Sequence, residues 1–217
     1  MTLSIIVPTY NRGACLAESL PWLKEQVIRN RSEVELIVCD NASTDNTDDV
    51  VAEYQAADNR IKYFKNEKNC GAAVSRNKAL REAKGRWIAF LDSDDLWVSE
   101  KLEKQLKFMV ENGYHFSYHN SIRMAEDMKP MGKRYSGPRK VTQGMMYRYC
   151  WIGCLTVMYD SLVIGSIQIE DIKKNNDYAI WLKVCHKADC YLLDEILAKY
   201  RVRTGSISRH SKIDLIK

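Results

Sequence analysis

Trp87-Ile88-Ala89-Phe90-Leu91-Asp92-Ser93-Asp94-Asp95 is the stretch on which the reading of this chain turns. Five apolar residues run without a charge and then break into three carboxylates within four positions. A short continuous apolar run is the pattern of a strand buried on both faces. In open α/β sheets, ligands collect just beyond the carboxyl ends of such strands. Residues two apart in an extended segment point the same way, which directs Asp92 and Asp94 toward one site. Adjacent carboxylates repel unless a cation or hydrogen-bond donors compensate them. Oxygen-only ligands with room left for phosphate oxygens suit Mg2+ or Mn2+. Taken alone, the same D-x-D also reads as an acidic turn that caps the following helix.

Toward the N-terminus, strand and helix patterns alternate. Residues 3–7 form an apolar run that Pro8 should end, because proline cannot donate to a ladder. Leu16, Leu20, Leu23 and Val27 recur at helical spacing over residues 14–29, with Pro21 predicting a bend or a delayed start. Residues 35–39 read as a second strand ending on Asp40. Asn41-Ala42-Ser43-Thr44-Asp45-Asn46-Thr47-Asp48-Asp49 suits a helix N-terminus, and Val50, Val51 and Tyr54 continue that helix. Residues 60–65 read as a third strand. Asn69-Cys70-Gly71 is a turn into a helix over 72–84, with Gly85 as its stop. After the acidic stretch, Ser99 is placed to cap a helix whose stripe is Leu102, Leu106 and Met109 and whose end is Gly113. This alternation predicts a parallel sheet with crossover helices.

From Tyr114 the pattern changes. Residues 115–122 alternate as a strand would, carrying His115 and His119. Between Asp127 and Asp160 there is no acidic residue, while Lys129, Lys133, Arg134, Arg139, Lys140 and Arg148 are basic. Pro130, Gly132, Gly137 and Pro138 make the first half of that stretch loop-like. It reads either as a solvated loop or as a surface for a phosphate-bearing acceptor or an anionic lipid. Asp177-Tyr178-Ala179-Ile180-Trp181-Leu182 opens a further helix, and residues 196–203 look like a final strand.

Composition narrows the classes. The chain has 217 residues, enough for one sizeable core, with 46% hydrophobic and 28% charged residues, as in soluble globular proteins. The net charge of +5 admits an anionic ligand or a membrane surface without requiring either; no nucleic-acid partner is expected. No secretory leader is expected from the residues ahead of the first strand, which lack a cationic start and a long apolar core. The apolar region over 149–169 is cut by Asp160, Ser161, Gly165 and Gln168, and reads as strand plus helix rather than a membrane span. Seven cysteines scattered through apolar segments point to reduced packing thiols in a cytoplasmic protein. The spacing Cys185-His186-Lys187-Ala188-Asp189-Cys190 fits no zinc pattern. There is no G-x-x-x-x-G-K-[ST], no G-x-G-x-x-G and no G-x-S-x-G. A bound nucleotide would need its phosphates neutralised by a metal at Asp94 and by basic side chains such as Arg76.

Five ordered motifs carry a resemblance: Ser4-Ile5-Ile6-Val7-Pro8-Thr9-Tyr10-Asn11; Val38-Cys39-Asp40-Asn41-Ala42-Ser43-Thr44-Asp45; Asn69-Cys70-Gly71 with Arg76-Asn77; residues 85–95; and Asp177-Tyr178-Ala179-Ile180-Trp181-Leu182. The chain resembles the family 2 glycosyltransferases, inverting enzymes of the bacterial surface-polysaccharide type. The resemblance implies an α/β GT-A fold, a Rossmann-like, mostly parallel central sheet with flanking helices and a smaller C-terminal acceptor region. One glycosyltransferase domain over 1–217 would divide into a nucleotide-binding half (1–113) and an acceptor-binding half (114–217). By the same resemblance, Pro8 and Tyr10 would line the base and Asp40 would accept a hydrogen bond from it. Gly71 and Arg76 would lie near the nucleotide, and Asp92 would approach the ribose. Asp94 would ligate Mn2+ or Mg2+, and Asp177 would be the catalytic base. The implied partners are a nucleotide-sugar donor, with UDP favoured, and a saccharide or lipid-linked saccharide acceptor. The implied location is cytoplasmic with peripheral contact at the inner membrane face. Asn176 departs from the family, where a second acid often precedes the base. The alternative reading is a nucleotide-sugar-binding module that has lost catalysis; intact Asp94 and Asp177 weigh against it. Arg203 and His210 read as solvated basic residues or as a clamp on the diphosphate.

Overall fold

The structure, a computed structural model, describes residues 3–26, 34–169, 172 and 175–203. Strands β1 (Leu3–Thr9), β2 (Val34–Asp40), β3 (Ile61–Lys65) and β4 (Trp87–Phe90) are parallel, in the spatial order β3-β2-β1-β4. β1, β2 and β4 are buried along their whole length. Ile6, Ile88 and Phe90 turn to one face of the sheet, and Ile5, Val7, Trp87 and Ala89 to the other. Both phases of each strand are therefore apolar, and the sequence shows a continuous run instead of an alternation. Helices α1 (Gly13–Lys24), α2 (Thr47–Ala57) and α4 (Lys101–Asn112) cover the second face; α3 (Gly71–Glu82) and, much later, α7 (Asn176–Cys185) cover the first.

The same sheet continues into the second half of the chain. Its further strands are β5 (Leu96–Trp97), β6 (Phe116–Met124), β7 (Pro130–Tyr135), β8 (Lys140–Val141), β9 (Met158–Asp160) and β10 (Cys190–Arg201). Beyond β4 the order is β9-β6-β10-β5, with β7 added to β6 and β8 to β10. β9 is antiparallel to both β4 and β6, whereas β10 runs parallel to β6. Short helices α5 (Gln143–Met146) and α6 (Ser161–Ile164) flank β9 in sequence. The apolar region over 149–169 thus resolves into a 3-10 turn, a strand and a helix, as expected. Among the described residues, no helix is long and apolar enough to cross a membrane.

Several local expectations are corrected. β1 runs one residue past Pro8, which pairs with Cys39. Ile6 O accepts from Leu91 on the β4 side and Thr9 O from Asn41 on the β2 side. Pro8, in phase with Ile6, faces the side where β4 has ended, so no ladder bond is lost. Pro21 lies inside α1 and does not delay its start; Val27 is outside the described residues. Ser99 does not cap α4: its hydroxyl donates to Glu100 Oε2 at 2.8 Å, and Glu100 holds the N-cap position with no side-chain bond to the helix. Gly85 is not the α3 stop, since the chain is already extended at Ala83. A Cβ there would lie 2.5 Å from Ser4 N and 2.6 Å from Ser4 Oγ, so close strand approach requires the glycine. The loop-like half of the basic stretch is instead the edge strand β7. Pro130 and Gly132 hid it, and an edge tolerates proline at its first residue.

The cysteines behave as packing groups. Five are buried and none is disulfide-bonded. Burial pushes the thiols of Cys39 and Cys150 up to about 11 and that of Cys185 to about 12.

Candidate active site

The loops that follow β1 and β2 are laced together at the carboxyl end of the sheet. Asn11, at φ +49°, receives a hydrogen bond from Thr44 N on Oδ1 (2.8 Å), and its own N–H donates to Ser43 Oγ (2.8 Å). Asn41 Nδ2 donates to Asn69 Oδ1 at 2.6 Å, and Cys70 N donates to Asn41 Oδ1 at 2.8 Å. Gly71, at φ +84°, follows immediately and opens α3. This conformation is one that a residue without Cβ adopts at little cost. The capping-rich sequences thus serve to join three loops into one wall, besides starting helices.

The carboxylates after β4 sit in a turn closed by Asp95 N donating to Asp92 O at 3.0 Å, rather than in an extended segment. Arg76, buried in the middle of α3, organises it. Its Nη2 donates to Asp92 Oδ1 at 2.5 Å, and its Nη1 donates to Asn176 Oδ1 at the start of α7. One guanidinium therefore joins the acidic turn to the helix that carries Asp177. Burial works against the Arg76 charge, but Asp92 and Asp177 hold its pKa above the ordinary value. Arg201, also buried, holds the turn from the other side. Its Nε donates to Asp94 O at 2.7 Å, its backbone N–H to Asp95 Oδ1 at 2.8 Å, its Nη1 to Glu126 O at 3.0 Å and its Nη2 to Glu18 Oε2 at 2.5 Å.

Asp94 is left differently placed. Among the described residues, the cations near its Oδ2 are distant ones, Arg203 Nη1 at 3.7 Å and Arg12 Nε at 3.9 Å. Burial and the charge of Asp92 push its carboxyl above the usual carboxylate range, with Arg12 and Arg203 pulling back. Asp95 is pushed up further by burial and by both neighbouring carboxylates. Among the described residues, no cluster of three or more His, Cys, Asp or Glu side chains converges on one point. A hard divalent cation fits this donor set: Asp94 is the under-compensated carboxylate, and phosphate oxygens would complete the shell.

Pro8, Tyr10, Gly71, Arg76, Asp92, Asp94 and Asp177 all line one open cavity of about 1520 Å³. Asp40 does not. Its buried carboxylate accepts from Ser43 Oγ (2.5 Å), from Ser43 N (3.1 Å) and from Tyr63 Oη (2.9 Å), which shapes the loop behind the wall. Sequence reasoning missed Arg12 and Arg201; the one arginine in β10, at its last residue, was the available signal for the latter. Arg203 faces the cavity, whereas His210 lies outside the described residues. His119 is buried on the cavity wall, with Nδ1 2.9 Å from Asn120 O, and His115 precedes β6 and lies 3.3 Å from Asp160 Oδ2.

An open α/β sheet with aspartates beyond a central strand, and a further aspartate on a helix lining the same cavity, is the kind of architecture found in nucleotide-sugar transferases. The chain belongs to glycosyl transferase family 2, whose profile matches residues 4–156. It is 41% identical over 207 residues to TuaG of Bacillus subtilis (strain 168), named for teichuronic acid biosynthesis, covering 95% of this chain and 81% of that one. It is 38% identical to the Escherichia coli UDP-Glc:alpha-D-GlcNAc-diphosphoundecaprenol beta-1,3-glucosyltransferase WfgD, covering 95% and 79%. The crystal structure of S. aureus TarS 1–349 in complex with UDP-GlcNAc superposes with a TM-score of 0.80 at 25% identity. That match covers 97% of this chain and 62% of the TarS chain. The fold is therefore GT-A, as the resemblance implied.

Proposed function

We propose that the chain is an inverting, metal-dependent glycosyltransferase. It would move a sugar from a UDP-sugar to a hydroxyl of a lipid-linked saccharide in surface polysaccharide synthesis. The observation that carries this reading is the Arg76 bridge, which ties the Asp92–Asp94 turn and the Asp177 helix to one cavity. Inversion is a single in-line displacement at the anomeric carbon. It needs a base on the face opposite the leaving diphosphate, to take the proton from the acceptor hydroxyl as that oxygen attacks. Asp177 is the carboxylate available for this. Pro8, Tyr10 and the Asn41–Gly71 wall bind the nucleoside, with the Tyr10 ring exposed for stacking. Arg12 and Arg203 meet the diphosphate charge. Asp94 would hold Mn2+ or Mg2+, which when bound supplies Lewis-acid stabilisation of the leaving group.

The relatives named for a UDP-sugar donor and an undecaprenol-linked acceptor support the choice of substrates. An undecaprenol-linked acceptor is a membrane lipid, which is in keeping with a protein working against the inner membrane face. In this reading most donor contacts come from residues 1–113, with Arg203 added from the second half, and the acceptor contacts come from 114–217. The test is calorimetry with UDP, in Mn2+ or EDTA, alongside transfer assays. Asp177→Asn is expected to bind UDP within about twofold of wild type while losing about 10²–10⁴-fold in turnover. Asp94→Asn is expected to lose the metal-dependent part of UDP affinity. Equal binding losses in both variants would overturn the roles, and UDP binding without turnover in the wild type would favour the binding-module reading.

A further inference from the structure

The cavity wall beside Asp177 is built from aromatic residues that the chain leaves uncovered. Tyr149 is 61% and Trp151 38% exposed, yet both line the cavity. Their rings meet edge to face, with centroids 4.7 Å apart at 63°. Single exposed aromatics are ordinary, but two paired rings open onto the cavity that also holds Asp177 form a contiguous apolar patch of the kind that marks a ligand contact. The wall is also held in place. Tyr178 Oη, on the base-bearing helix, donates to Met146 O, and Gln143 Nε2 lies 3.0 Å from His186 Nδ1, which ties α5 to α7. A Cβ at Gly137 would stand 3.5 Å from the Trp151 ring, so the 136–138 segment backs that ring closely. Asp177 is near enough to Cys150, between the two aromatics, for its charge to add to burial in raising that thiol.

Position in the sheet separates this wall from the nucleoside side. Pro8 lies at the end of β1, and Tyr10 and Asn41 follow β1 and β2, on one side of β4; Tyr149 and Trp151 precede β9, on the other. The Asp92–Asp94 turn, at the end of β4, stands between them. A group docked on the aromatics would thus lie beside the base and across the turn from the nucleoside.

We propose that Tyr149 and Trp151 form a stacking platform for the acceptor saccharide, holding the ring whose hydroxyl attacks. The proposal rests on the reading of Asp177 as the base. A pyranose has an apolar C–H face and a hydroxyl rim. Electropositive C–H groups pack on the negative face of an aromatic ring, while the rim keeps polar partners. Asn175, Asn176 and Thr156, which share the cavity, supply those partners.

The test uses the full chain with UDP and Mn2+ present, titrated with octyl β-D-glucopyranoside and octyl N-acetyl-α-D-glucosaminide below their micelle concentrations. Binding is followed by saturation-transfer NMR. At least one glycoside is expected to bind the wild type saturably. Trp151→Ala and Tyr149→Ala are expected to weaken that binding by about tenfold or more, and Trp151→Phe by no more than about threefold. UDP affinity, measured by calorimetry, is expected to stay within about twofold in all three, which also reports that they fold. Unchanged glycoside affinity in both alanine variants overturns the platform, as does absence of glycoside binding while the wild type binds UDP. Loss of co-sedimentation with equimolar phosphatidylglycerol–phosphatidylcholine vesicles, with glycoside affinity retained, overturns it in favour of a membrane contact. Failure of the donor reading shows separately, as absence of UDP binding in the wild type.

Discussion

Two buried arginines, Arg76 and Arg201, hold the backbone and side chains of the acidic turn in position. Arg201 reaches the Asp94 carbonyl, the Glu126 carbonyl and the Glu18 carboxylate with three different nitrogens. A lysine has one nitrogen and no fork, so it cannot make these contacts together. Arg201→Ala is expected to cost about 2–4 kcal/mol in urea unfolding, because the Asp94 and Glu126 carbonyls and the Glu18 carboxylate lose their donors and the Asp95 carboxylate loses a nearby charge while keeping its backbone bond. Arg201→Lys is expected to recover less than half of that, and metal-dependent UDP affinity is expected to fall in both. A stability change within experimental error would show that the turn holds without its clamp. Arg76 has no local signature for such a role and Arg201 only its place at the end of a strand, since each acts on residues about a hundred positions away.

Among the elements, the seam between β4 and β9 depends on one buried carboxylate. Asp160 accepts from Arg86 Nε at 3.0 Å and Nη2 at 2.7 Å, and caps α6 by accepting from Leu162 N at 3.1 Å. Burial opposes its charge, but these donors bring its pKa below the ordinary value. A depressed carboxyl stabilises the fold above its unfolded pKa of 3.8, and that contribution is lost as pH falls through the folded value. Asp160→Asn is therefore expected to cost about 1–3 kcal/mol at pH 7. The gap to wild type should narrow as pH drops below about 4. Parallel urea titrations of both proteins across that range would check it, and a gap independent of pH would exclude the charge as the cause. Elements with strong periodicity were legible in advance: α4 buries Leu102 and Met109 as its stripe required. It also buries Lys101, whose Nζ lies 3.7 Å over the Trp97 ring and whose pKa burial drives well below the ordinary value. No sequence pattern marks a lysine for the core, because the cavity that receives it is made by other elements.

Over the whole molecule, one sheet crosses the boundary between the proposed nucleotide and acceptor halves. β4 pairs with β9 through Trp87–Asp160, Ile88–Tyr159 and Ala89–Met158, and β5 pairs with β10. Residues 1–113 alone would leave the β9 side of β4 as a bare, buried-type edge. Urea unfolding followed by far-UV circular dichroism and by tryptophan fluorescence is expected to give coincident single transitions, and a 1–113 fragment is expected to aggregate. Two separated transitions would mean that the halves fold independently. The sequence by itself determined the parallel half, the strands that end on Asp40 and before Asp92, and the helix that presents Asp177. Those features rest on periodicity, capping and chain breaks, which are local. Only the tertiary structure decided that β7 is a strand, that Asp40 turns behind the wall, that Arg76 and Arg201 fasten the acidic turn, and that Tyr149 and Trp151 line the same cavity as Asp177. Each of these depends on which distant strands become neighbours in the sheet, and that order is set by packing of the whole chain rather than by any stretch of it.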